Sequence, residues 1–142
     1  MHKVAFQNAD ISFRLPDKKG LKAFIPFLFQ QEKKTIEQIN YIFCTDDYLL
    51  NINRQYLQHD YYTDIITFDL SDTGSIAGEI YISIERVKDN AKQMDVPFET
   101  ECLRVIFHGA LHLCGYTDKT QTQQKKMRQK EDEYIERYLL GE

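Results

Sequence analysis

The chain is 142 residues long and 42% hydrophobic, enough for one globular domain with its own core and too short to suggest two. Its formal net charge of −4 excludes a protein that coats nucleic acid indiscriminately through counterion release, but it is compatible with a local basic groove. The three cysteines, Cys44, Cys102 and Cys114, match neither a disulfide framework nor a zinc knuckle and read as reduced thiols. With no apolar N-terminal run and no stretch of roughly 18 apolar residues, the expectation is a soluble, cytoplasmic protein.

Ile11, Phe13 and Leu15 alternate with polar neighbours and predict a first strand over Asp10 to Leu15. Pro16 and Asp17 open a helix with an apolar face of Leu21, Phe24, Ile25, Leu28 and Phe29. Pro26 lies off that stripe and is expected to kink the helix or delay its start. IEQINYIFC, residues 36–44, is rich in aromatic and β-branched side chains and predicts a central strand. Thr45 and Asp46 cap the next helix, where Leu49, Ile52 and Tyr56 recur on one side. The polar run QHDYYTD leads to a third strand, IITFDL, and a turn around Ser71 to Ala77 leads to a fourth, GEIYIS.

Ser83 caps a helix reaching Met94, and Pro97 separates it from the helix that holds the chemistry. A last amphipathic helix, TQTQQKKMRQKEDEYIERYLL, turns Met127, Tyr134, Ile135 and Tyr138 inward. Along it Lys125, Lys126, Arg128 and Lys130 precede Glu131, Asp132, Glu133 and Glu136, a run that reads as a solvated face. The order βαβαββααα predicts an α+β single domain with one small mixed sheet packed by helices.

The chemistry lies in LRVIFHGALHLCGYTD, Leu103 to Asp118, which holds two of the four histidines. His108 and His112 are one helical turn apart on one face, so both can reach a single metal ion. Leu103, Ile106, Phe107, Ala110 and Leu111 form the apolar stripe of the same helix. Gly115 permits a left-handed turn that brings Asp118 back toward the histidines. A bare pair of histidines is often no more than two helix residues. Glycine and aspartate at these offsets favour a ligand set of His108, His112 and Asp118. Two imidazoles and a carboxylate suit Zn²⁺ and leave a fourth position open, as in a catalytic site. Zinc proteases of the HExxHxxGxxH type share these offsets, but the glutamate they use as general base is Gly109 here.

HGALHLCGYTD also resembles the HGxLHLxGYDH signature of the YbeY family of metal-dependent, single-strand-specific endoribonucleases. LNINRQYLQHDYYTDIITF and GEIYIS resemble that family's LNxxYRxxDxxTxVLSF and GDIxIS. The resemblance implies a four-stranded mixed sheet with a zincin-like metal-bearing helix at its centre. The activity it implies is zinc-dependent cleavage in ribosomal RNA maturation, at the 3′ end of the small-subunit RNA, and in ribosome quality control. The implied partners are single-stranded RNA, ribosomal RNA or ribosomal particles, with no DNA and no membrane. The loop 58–64 is implied to shape the substrate cleft, which makes His59, Asp60, Thr63 and Asp64 candidate contacts, and Glu79 stands where the family has aspartate. Two further positions depart: the family's third histidine is Asp118, and the arginine it associates with nuclease activity is Leu57. Arg104 and Arg54 are the candidate catalytic cations in its place. The rival readings are a noncatalytic ribosome-assembly factor and, further off, a metalloprotease.

Overall fold

The computed structural model describes residues 3–72 and 74–141, so Thr73 of the expected turn lies outside the described residues. The elements are β1 (Val4–Asn8), α1 (Lys18–Gln31), β2 (Ile36–Cys44), α2 (Asp46–Leu57), β3 (Ile65–Asp69), β4 (Ile76–Ser83), α3 (Ile84–Met94), α4 (Phe98–Leu113) and α5 (Gln121–Leu140). The sheet order is β1-β2-β4-β3. β1 and β4 run parallel to β2, and β3 pairs antiparallel with β4 as an edge strand. The domain is thus α+β with a four-stranded mixed sheet, as its element order predicts.

One expected strand is displaced. The first strand is Val4–Asn8, paired with Ile39–Phe43 of β2, whereas Asp10 to Leu15 is irregular. In that segment Leu15 is buried, and Ile11 and Phe13 pack half-buried against the core. The Phe13 ring lies edge-on to Phe43 at 5.0 Å. Alternation there reports burial against neighbours, not a hydrogen-bonded ladder. Nor does Pro26 delay α1, which runs from Lys18 through the proline to Gln31, with the Asp17 carboxylate accepting from the Gly20 N–H. The caps expected at Thr45 and Ser83 form, accepting from Tyr48 N–H and Arg86 N–H, and α5 opens on a capping box of Thr120 with Gln123.

α4 is the centre of the molecule. Leu103, Ile106, Phe107, Ala110 and Leu111 are all buried in the main core with β2, β4 and α1. Burial of a side chain such as Phe107 is worth about 1.5–3 kcal/mol. The Tyr41 hydroxyl on β2 donates to the Ile106 carbonyl at 2.8 Å, pinning the helix to the sheet. Close approach requires Gly109, because a Cβ there would lie 2.8 Å from Ile80 Cγ2 and 3.1 Å from Ile65 Cδ1. A smaller cluster of Cys44, Leu49 and Ile66 seats α2 on alternate strand residues. No helix among the described residues is long and apolar enough to cross a membrane.

Candidate metal centre

A cleft of about 460 Å³ opens between α4, α5 and the start of β3. Its α4 wall carries Glu101, Arg104, His108 and His112, and Asp118 closes one end. The β3 side gives Thr63, Asp64 and Ile65, and α5 gives Gln124, Met127, Arg128 and Glu131.

The His108 and His112 rings lie 6.1 Å apart and nearly parallel, at 11°. Their helix ends at Leu113, and just beyond it Gly115, with φ of +108°, lets the chain turn, while Tyr116 N–H donates back to the Leu111 carbonyl. The turn brings Asp118 Oδ2 to 3.4 Å from His108 Nε2. The loop is fastened twice. Gln124 on α5 donates to the Asp118 carbonyl at 3.1 Å. Tyr116 donates to Glu32 at 2.7 Å, a carboxylate that also receives Tyr134 and Lys130.

Glu131 was hidden in the charge run of the last helix. It is buried, and its Oε2 lies 2.6 Å from His108 Nδ1. A carboxylate oxygen only accepts, so Nδ1 carries a proton, while Nε2 faces Asp118 and binds a metal only after giving up any proton of its own. Burial alone would lower the His108 pKa. The hydrogen bond to Glu131 and the charges of Glu131, Asp118 and Asp64 outweigh it and hold the pKa above the usual histidine value.

Among the described residues no three histidine, cysteine, aspartate or glutamate side chains converge as a ready metal cage. One pair of donors nevertheless has the spacing of two ligands of a single ion. Two ligands of a tetrahedral ion with bonds of about 2.1 Å stand about 3.4 Å apart, and His108 Nε2 and Asp118 Oδ2 stand 3.4 Å apart. The hydrogen bond from Nδ1 to a carboxylate is the usual support of a metal-binding histidine.

The two arginines singled out in the sequence are both occupied. Arg104 meets Glu131 at 3.0 Å, Asp132 at 2.7 Å and Glu101 at 4.0 Å, with its side chain 15% exposed. Arg54 is bound to Asp60 at 2.5 Å and does not line the cleft. Of the loop residues, Thr63 and Asp64 reach the cleft, while His59 stacks on Tyr61 with ring centres 5.1 Å apart. Glu79 accepts from Tyr81 at 3.1 Å and is absent from the cleft lining. Burial raises the pKa of both Asp64 and Glu101.

The family model for Endoribonuclease YbeY matches residues 4–139. The chain belongs to the YbeY endoribonuclease family. It is 48% identical over 128 residues to the YbeY endoribonuclease of Flavobacterium psychrophilum, covering 90% of this chain and 91% of that one. The YbeY endoribonuclease of Cytophaga hutchinsonii is 47% identical over 130 residues, 91% of each chain. A solution structure of a Thermotoga maritima protein superposes with a TM-score of 0.67 at 27% identity, covering 95% of this chain and 88% of that one. YbeY membership therefore extends across both walls of the cleft, α5 included, and not only across the histidine helix.

Glu131 carried a signal that sequence reading passed over. Met127, Glu131, Tyr134, Ile135 and Tyr138 fall at i, i+4, i+7, i+8 and i+11, which places a carboxylate on the inner stripe of α5.

Proposed function

We propose that this protein is a zinc-dependent, single-strand-specific endoribonuclease that acts in the cytoplasm on ribosomal RNA, in maturation of the small-subunit 3′ end and in ribosome quality control. The observation that carries the reading is the oriented pair His108 and Asp118, backed by Glu131, in an open cleft of a chain of this family.

In this reading His108, His112 and Asp118 hold the ion. When bound, Zn²⁺ supplies Lewis-acid polarisation of a phosphoryl oxygen and makes water more acidic. Glu131 fixes the His108 tautomer so that Nε2 offers its lone pair. Arg104 is a fixed positive charge on the cleft wall, but its donors are engaged by carboxylates. Arg54 would act on phosphate only from outside the cleft. Tyr61 and Tyr62, 56% and 50% exposed, precede the cleft residue Thr63 and place aromatic surface beside it for unstacked bases, with one face of Tyr61 already stacked on His59 and Arg86 lying over Tyr62.

A metalloprotease is disfavoured by packing as well as by residue type. Position 109 faces Ile80 and Ile65 of the sheet, with no space for the glutamate such enzymes place after the first histidine. A ribosome-assembly factor that binds without cutting is favoured by one observation, the exposed Leu57 where the family has arginine.

The deciding experiment incubates zinc-loaded protein with an unstructured RNA, a duplex RNA and an unfolded polypeptide, each with and without chelator, beside His112→Ala. Cuts in unstructured RNA alone, abolished by chelator and by the substitution, are expected. Binding of RNA with no metal-dependent cuts would overturn the nuclease reading in favour of the assembly factor.

A further inference from the structure

We propose that Arg128, on α5, contacts the phosphate of the RNA strand in the cleft. The inference rests on the nuclease reading for its substrate, but its own grounds are geometric.

Of the two arginines lining the cleft, Arg104 has its donors taken by carboxylates. Arg128 is exposed and has no ion pair or side-chain hydrogen bond among the described residues. Its position on the helix is fixed on both sides. Gln124, Arg128 and Glu131 are spaced i, i+4 and i+7, so they share one face of α5. Gln124 touches the Asp118 carbonyl and Glu131 touches His108. Arg128 therefore stands between the two points where α5 meets the candidate metal ligands. Its charge is felt by Glu101 on the opposite wall, which it does not pair with.

The electrostatics give the residue a task. Asp64, Glu101, Asp118 and Glu131 all face the cleft and oppose the approach of a phosphodiester. A free guanidinium at the mouth offsets that field and can grip two phosphate oxygens at once, which an ammonium cannot. The grip strengthens as negative charge builds on those oxygens, so it should act on turnover as well as on binding. The loss of arginine at position 57, outside the cleft lining, is then met from α5.

The test uses zinc-loaded full-length protein and a single-stranded oligouridylate, with Arg128→Ala, Arg128→Lys and the control Lys125→Ala, which removes an equal charge outside the cleft lining. Cleavage rates are read with zinc content, thermal stability, oligonucleotide affinity by fluorescence anisotropy and the Arg128 guanidinium NMR signal. Arg128→Ala should lower kcat/KM by about 100-fold, with part of the loss recovered in Arg128→Lys. Its salt slope for binding should fall by about one. Lys125→Ala should stay within about threefold, and zinc content and melting should not change. Wild-type rates in Arg128→Ala overturn the assignment and leave the nuclease reading intact. A wild-type protein that binds the oligonucleotide, shifts the Arg128 signal and never cuts supports the contact and overturns the nuclease. Absence of both binding and cutting overturns both.

Discussion

Glu131 of α5 holds His108 of α4 by a 2.6 Å contact across 23 residues of sequence. The same carboxylate takes Arg104 through its other oxygen, at 3.0 Å. One buried side chain thus fixes both the ring that faces Asp118 and the cation one turn earlier.

If that contact sets the tautomer, Glu131→Gln should weaken zinc binding by about 10- to 100-fold. Competition with a calibrated chelator measures it. In the metal-free variant, the His108 ring nitrogens, read by long-range ¹H–¹⁵N correlation, should show a mixture of tautomers. Unchanged affinity together with a single Nδ1–H tautomer would remove Glu131 from the site.

Purified protein should carry about one equivalent of zinc, and His112→Ala should lose most of it. Asp118→His should keep the ion, because it replaces one ligand type with another. Elemental analysis decides both. Zinc lost from Asp118→His would mean that Asp118 orients His108 without binding the metal.

Arg104→Ala should cost about 3 kcal/mol of stability, because it leaves Glu131 and Glu101 buried without their counter-ion. Urea unfolding measures the loss. A variant that unfolds like the wild type but fails to cut RNA would return Arg104 to a direct role at the phosphate.

Burial alone would raise the Glu32 pKa. Hydrogen bonds from Tyr134 and Tyr116 and the charge of Lys130 outweigh that and hold it below 4.5. Its stabilising effect is therefore complete above the unfolded value of 4.5 and fades as pH falls through the lower folded value. Glu32→Gln should be less stable than the wild type by about 1–3 kcal/mol at neutral pH, and the gap should close in acid. Melting curves across the acid range check this, and a gap independent of pH would show that the carboxylate charge is not what matters.

Three of the five helices were legible because their starts are written locally, α2 at Thr45, α3 at Ser83 and α4 after Pro97, and the stop of α4 is marked by Gly115. β2 was equally plain from its β-branched and aromatic run. The first strand was not. VAFQN carries little alternation, and it is a strand because it pairs with β2, more than thirty residues away. Ile11, Phe13 and Leu15 alternate more clearly and pair with nothing. The site divides in the same way. The histidines and Asp118 lie in one stretch, and their spacing alone made them candidate ligands together. Glu131 and Arg128 join them through helix packing, and in the sequence they look like any other members of a charged surface run. Arg104 was visible as a cation on the histidine face, but the carboxylates that occupy it were not.

The support of His108 from α5 also governs when the cleft takes its form. Strands and helices through α4 can pack as they are made, yet a growing chain that ends in the loop before α5 has the histidines without Glu131, Gln124 or Arg128. The cleft is therefore complete only once α5 has been made and packed against α4, and a copy cut before α5 would have the two imidazoles and no finished site.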